Sequence, residues 1–135
     1  LTERAAGGMH AFSHVTGGGL AANLARVLPT GSVAEGSRAG WQLPPVFSLV
    51  QRLGGVPWND LESALNLGVG MVAVVAPDAA AGVLQHAVEL GLPAWELGGI
   101  RPFDPERDVP GTPDLVSGTK GVQGGAVLMS GSYRV

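Results

Sequence analysis

The sequence predicts an α/β or α+β fold, with a mixed sheet and helices packed on it. Segments with strand-like and helix-like patterns alternate along the 135 residues, which suffice for one domain. Residues 69–76 are continuously apolar between Gly68 and Pro77, which is typical of a strand covered on both faces. Residues 20–28 carry apolar side chains at helical spacing.

The first elements follow from periodicity. Residues 9–15 alternate between an apolar face and a mixed face, which predicts a strand. The helix at 20–28 is expected to end before Pro29, because proline cannot donate a helical hydrogen bond. A short strand is predicted at 32–36.

Two helices are predicted next. Pro44 and Pro45 suit the first turn of a helix that ends at Gly54 and Gly55. In the following helix, Asn59 lies three residues before Glu62, the spacing of an N-cap with its capping-box partner.

The second half begins with the strand at 69–76, which we expect in the middle of the sheet. Asp78 is the expected N-cap of a helix at 79–90, which ends at Gly91. The remaining expectations are a strand at 94–97, an irregular and mobile loop at 102–125 that contains four prolines but no long helix, and an interrupted strand at 126–135.

Composition excludes several classes of function. The net charge is −3 and Lys120 is the only lysine, so no nucleic-acid partner is expected. Without cysteine the chain can have no disulfide, cysteine-ligated zinc or cysteine nucleophile. The longest apolar run is too short to span a membrane, and we expect a soluble cytoplasmic domain. A chain that begins without Met is expected to be a piece of a longer protein.

The candidate site is the sequence His14-Val15-Thr16 followed by three glycines, Gly17 to Gly19, directly before a helix. The first N–H groups of a helix lack intrahelical partners and carry about half a positive charge, so glycines there allow an anion to approach. Thr16 could add a hydroxyl and His14 a titratable donor. By spacing alone, a tight strand-to-helix turn and a structural histidine are the more common explanations of such a pattern.

Other kinds of site are not indicated. The glycines match neither the P-loop pattern nor the dinucleotide-binding pattern. No histidine pair has metal-ligand spacing and the carboxylates are scattered, so no metal site is predicted.

Three blocks of the sequence resemble one family. Residues 10–29 (HAFSHVTGGGLAANLARVLP), 41–56 (WQLPPVFSLVQRLGGV) and 65–75 (LNLGVGMVAVV) are similar to the carboxy-terminal domain of phosphoribosylformylglycinamidine cyclo-ligase, also called aminoimidazole ribonucleotide synthetase. The resemblance implies that residues 1–135 form that domain, without the amino-terminal ATP-binding domain. Leu65-Asn66 stands where the family usually has Phe-Asn.

The resemblance also implies an activity. The family uses ATP and Mg²⁺, bound mainly by the amino-terminal half, to cyclise formylglycinamidine ribonucleotide to aminoimidazole ribonucleotide in purine biosynthesis. In this sequence His14 would be catalytic, and the residues binding substrate or phosphate would be Thr16, Gly17, Gly18, Gly19 and Asn66. The implied partners are the substrate, the chain's own amino-terminal domain and a second copy in a homodimer. The fragment alone is expected to be inactive.

Two other classes of function remain open at this point. One is a non-catalytic module that binds a phosphate or ribonucleotide at the glycines. The other is a structural or dimerising domain of a related ATP-using enzyme.

Overall fold

The computed structural model describes residues 8–118 and 124–135. The strands are β1 (Met9–His14), β2 (Ser32–Ser37), β3 (Met71–Val75), β4 (Gly98–Pro102), β5 (Leu115–Ser117) and β6 (Ala126–Ser130). The helices are α1 (Gly19–Val27), α2 (Pro45–Gly54), α3 (Trp58–Ala64) and α4 (Ala80–Glu89), with a 3₁₀ turn at Arg38–Gly40.

The strands form two sheets. Four strands lie in the order β4-β2-β6-β5, in which β2 pairs parallel with β6 and the other pairs are antiparallel. The remaining two strands, β1 and β3, pair antiparallel with each other. The prediction of helices combined with a mixed sheet is therefore confirmed.

Helix α1 lies at the centre of the packing. It contacts β1, α3, β5 and β6. Leu20 and Leu24 of α1 are buried in one apolar cluster with Val127 and Met129 of β6. The helix therefore connects the two sheets, because Val72 of β3 also packs against this cluster. This packing fixes the turn that precedes α1.

The predicted position of the strand at 69–76 is wrong, although the strand itself is present. In the described part of the chain β3 pairs with β1 alone, so it is not in the middle of a sheet. Val72 and Val74 face the core and are partly buried, whereas Met71 on the other face is 55% exposed. A continuous apolar run shows that both faces avoid charge, but it does not specify how many strands pair beside it.

The strand predicted at 94–97 is also wrong, because the strand begins only at Gly98. Glycines usually weaken strands, but here one is required. A Cβ at Gly98 would lie 1.8 Å from the carbonyl oxygen of Glu35 on β2. In the irregular segment before the strand, Trp95 stacks on Trp41 with ring centroids 6.2 Å apart.

Both predicted helix caps are wrong, although both helices form. Helix α3 begins at Trp58 with Pro57 at the N-cap position, and α4 begins at Ala80 with Ala79 at that position. Neither helix has a side-chain capping bond. The Pro57 carbonyl already accepts the N–H groups of Asp60 and Leu61, so a proline starts the helix where Asn59 was expected to do so.

The last predictions concern the carboxy-terminal third. The described residues between 102 and 125 contain no helix, as predicted, but they include the short strand β5. Residues 119–123, including Lys120, lie outside the described residues, and the predicted mobility of the loop stays a prediction. Strand β6 ends before Gly131, whose φ is 75°, which confirms the glycine interruption.

Candidate functional site

The three glycines form a closed turn between β1 and α1. Gly18 has a φ of 100° and Gly19 a φ of 72°, in the left-handed region that other residues seldom adopt. The N–H of Gly19 donates a hydrogen bond of 3.2 Å to the carbonyl of Thr16. This N–H is therefore occupied within the turn, and an anion would have to use its neighbours.

Two of the three glycines are required, each for a different reason. A Cβ at Gly19 would lie 1.8 Å from the carbonyl oxygen of Glu62 in α3, so this position allows two helices to approach closely. Gly18 is required by its φ, and a Cβ at Gly17 would have no atom within 4 Å. The tight-turn interpretation thus accounts for Gly18 and Gly19. Of the three, only Gly17 is left without a structural reason to be glycine.

Asn23 is a residue of this site that the sequence-based prediction missed. It is 5% exposed on the buried face of α1. Its Nδ2 donates to the carbonyls of Gly19, Thr16 and Gly17 at 2.7, 3.3 and 3.4 Å, and its Oδ1 accepts from the Thr16 hydroxyl at 3.4 Å. The available signal was a polar residue within the apolar stripe of a helix. The Asn23 side chain therefore holds the turn together, and the Thr16 hydroxyl is directed at it.

His14 and Asn66 lie beside this turn. His14 is the exposed last residue of β1 and pairs with Met71 of β3. Asn66 precedes β3, and its Oδ1 accepts the N–H of Gly68 at 3.1 Å, which is an Asx turn. The fold thus brings the predicted residues to one end of the β1–β3 pair. Their roles in binding and catalysis stay predictions.

A cavity of about 330 Å³ opens next to Gly18, within the size range of small-molecule sites. It lies between α1, α3 and strands β5 and β6. Its lining includes Gly18, Ala22, Arg26, Arg38, Glu62 and Asp114. Gly18 is the one predicted site residue among the residues that line it.

Arg38 forms the centre of an ion network in this cavity. Its Nε donates to Glu62 of α3 at 2.9 Å and its Nη1 contacts Asp114 at 3.0 Å. Nη1 also donates to the Met129 carbonyl. Burial by itself lowers the pKa of Arg38, but the hydrogen bonds and charges of Glu62 and Asp114 outweigh it and raise the pKa above its ordinary value. This guanidinium is therefore always charged and already bound.

Tyr133 lies close to the same network. Burial raises the pKa of its phenol well above the ordinary value, and the negative charge of Glu62 adds to the effect. The ring packs against Trp41 and Trp58, with ring centroids 5.6 Å apart in each pair. A phenol held protonated in this way cannot act as a base near neutral pH.

Comparison with known proteins identifies the family. Residues 1–102 match the family model of the AIR synthase related protein, C-terminal domain. The chain belongs to this family. The resemblance of the three sequence blocks is thereby confirmed, and so is the fold class expected from it.

Three of the similar proteins carry the same name. A Streptomyces fradiae protein, provisionally named phosphoribosylformylglycinamidine cyclo-ligase, is 44% identical over 94% of this chain and 62% of its own length. The cyclo-ligases of Symbiobacterium thermophilum and Parasynechococcus marenigrum are 43% and 42% identical over 72% and 78% of this chain, and over 28% and 31% of their own lengths. The chain therefore spans less than two thirds of each of these relatives.

Proposed function

We propose that this chain is the carboxy-terminal part of a phosphoribosylformylglycinamidine cyclo-ligase. The observation that carries the proposal is its membership of the AIR synthase C-terminal family over residues 1–102, together with relatives that bear this name at 42–44% identity. In the proposed reaction ATP activates the formyl amide oxygen of formylglycinamidine ribonucleotide, and an amidine nitrogen closes the imidazole ring. The products are aminoimidazole ribonucleotide, ADP and phosphate.

The proposed reaction divides the work between two parts of a longer protein. Within residues 8–118 and 124–135, no three His, Asp or Glu side chains come together as a metal site would need. These residues therefore supply no preformed cage of three such ligands for a metal ion. We assign ATP and Mg²⁺ mainly to an amino-terminal domain, with which this chain would form the active-site cleft.

This chain would contribute binding and orientation of the substrate. The turn at Gly17 and Gly18 presents backbone beside the cavity, and His14 lies at the adjacent strand end as the proposed proton donor or acceptor. Fixed donors of this kind accelerate a reaction when they lie where negative charge develops. Asn66 is proposed to help bind the substrate from the β3 side.

Two further aspects belong to the proposal. A homodimer of the complete protein is proposed from the family resemblance. In the part of the chain that the structure describes, no helix is long and apolar enough to cross a bilayer. A cytoplasmic location is proposed because the substrates are soluble nucleotides.

The test is a turnover assay on the full-length protein that contains this chain. With ATP, Mg²⁺ and formylglycinamidine ribonucleotide, we expect formation of aminoimidazole ribonucleotide with one ADP released per product. The 135-residue chain alone should give none. Turnover by the chain alone would refute the division of work. A folded full-length protein that binds the substrate without converting it would favour a binding module instead.

A matched pair of histidine variants tests the catalytic residue in the same assay. His14→Gln is expected to lower kcat at least tenfold with little change in KM for ATP. His10→Gln is the control, because His10 is also exposed on β1 but lies four residues before His14. Equal activities of the two variants would remove His14 from the mechanism.

A further inference from the structure

Within the part of the chain that the structure describes, Arg26 has no carboxylate partner, unlike Arg38, the other arginine that lines the cavity. Among the residues that the structure describes, both acidic groups lining the cavity, Glu62 and Asp114, are bound to Arg38. No carboxylate oxygen of these residues lies within 4.0 Å of the Arg26 guanidinium. Among the described residues, the cavity thus contains one arginine with two carboxylate partners and one arginine with none.

The guanidinium of Arg26 reaches back along α1 to the glycine turn. Its Nη2 lies 3.7 Å from the position that a Cβ would occupy at Gly18. Side chains on a helix lean toward its amino-terminal end, so a residue of the last turn can lie beside the first. Arg26 and the backbone of Gly18 therefore face the same space in the cavity, with no side chain at Gly18 between them.

Charge limits where an anion can bind in this cavity. Arg38 with Glu62 and Asp114 forms a group of one positive and two negative charges, which repels an anion from the Asp114 side. Arg26 attracts one toward the Gly18 side. A ligand with an anionic end and a hydroxyl-bearing body fits this cavity. The anionic end would lie near Arg26, and the hydroxyl groups could donate hydrogen bonds to the carboxylate of Asp114.

We infer that Arg26 binds the phosphate monoester of a sugar phosphate in this cavity, with the sugar hydroxyls directed toward Asp114. The inference rests on the proposed function for the identity of the sugar, a ribose 5-phosphate group as in the substrate ribonucleotide. The planar guanidinium presents paired N–H donors that match phosphate oxygens. The Thr16 hydroxyl, bound to Asn23, is not needed for this contact.

The experiment is a calorimetric titration, with ribose 5-phosphate, of the full-length protein that contains this chain. We expect Arg26→Gln to weaken binding at least tenfold, and Arg26→Lys, which keeps the charge but loses the planar fork, to weaken it less. The control is Arg52→Gln, since Arg52 is exposed in the last turn of α2, and it should change affinity less than twofold. Thermal melting of all three variants reports whether the fold is kept.

The outcomes separate this inference from the proposed function. Unchanged affinity in a folded Arg26→Gln protein would overturn the inference, and so would absence of binding by the unmodified full-length protein at millimolar ribose 5-phosphate. Inorganic phosphate is titrated in parallel, and equal affinity for it would overturn the placement of the sugar. If the full-length protein fails to cyclise its substrate while Arg26 still governs sugar-phosphate binding, the proposed function alone fails.

Discussion

Two arginine–carboxylate networks adjoin strand β2, and one of them lines the cavity beside Gly18. Arg101 of β4 donates to Glu35 of β2 at 2.8 Å and to both oxygens of Asp108 at 2.6 and 2.7 Å. Arg107 completes this cluster with a 2.9 Å contact to Glu35. Two positive and two negative charges are thus matched within one sheet edge and the loop that follows it.

The network around Arg38 joins parts of the chain that lie much further apart. It connects the turn after β2 to Glu62 of α3, to Asp114 and to the backbone of β6. Its charges do not balance, and Arg26 lies across the cavity from it. The comparison shows that the balanced set of charges fastens a loop to a sheet edge, whereas the unbalanced set lines a cavity that also contains Arg26.

The greatest loss of stability is expected for a substitution at Gly19, where helices α1 and α3 approach closely beside the cavity. Gly19→Ala places a Cβ 1.8 Å from the Glu62 carbonyl oxygen at a residue with a φ of 72°. We expect a loss of about 3 kcal/mol or more in the free energy of unfolding. Urea unfolding measures it. Gly17→Ala is the matched control, with open space around its Cβ, and a similar loss there would contradict the assignment.

The second prediction concerns the two carboxylate partners of Arg38. Glu62→Gln removes a partner whose side chain is 15% exposed, from an arginine side chain that is 12% exposed. We expect a loss of about 1–3 kcal/mol in the free energy of unfolding. Asp114→Asn should cost about 0–1 kcal/mol, because this side chain is 57% exposed and screened by water. The reverse order would show that Asp114 is the principal partner of Arg38.

The third prediction uses pH to test the ion cluster around Arg101 and Asp108. Hydrogen bonds from Arg101, together with the N–H of Asp104, lower the pKa of Asp108 to about 2. A carboxyl whose pKa falls on folding stabilises the fold above its unfolded pKa, near 4, and loses this effect as the pH falls toward 2.

The measurement is the melting temperature across that pH range. Asp108→Asn should melt below the unmodified protein at pH 7, and the difference should shrink between about pH 4 and pH 2. Asp60→Asn is a suitable control, because no ion pair of Asp60 is present in the described residues. A constant difference down to pH 2 would show that Asp108 acts through packing alone.

Local sequence patterns were enough to predict several elements of the fold. The apolar periodicity of α1, the prolines that begin α2 and the glycines that end it lie where the patterns predicted them. The family was also recognisable from the three blocks, because they keep residue types at fixed spacing. Each of these signals lies within a few neighbouring residues, so no tertiary contact is needed to recognise it.

Features that depend on residues distant in sequence became visible only in three dimensions. Gly98 belongs to a strand because the Glu35 carbonyl approaches it, and within the described residues β3 pairs with β1 alone. Arg38 and Glu62 are 24 residues apart in sequence, with no local pattern to connect them. Likewise, only the tertiary structure shows that Arg26 lines a cavity whose two carboxylates, Glu62 and Asp114, are bound to Arg38. Ion pairs and close backbone contacts depend on three-dimensional distance, which one-dimensional spacing does not contain.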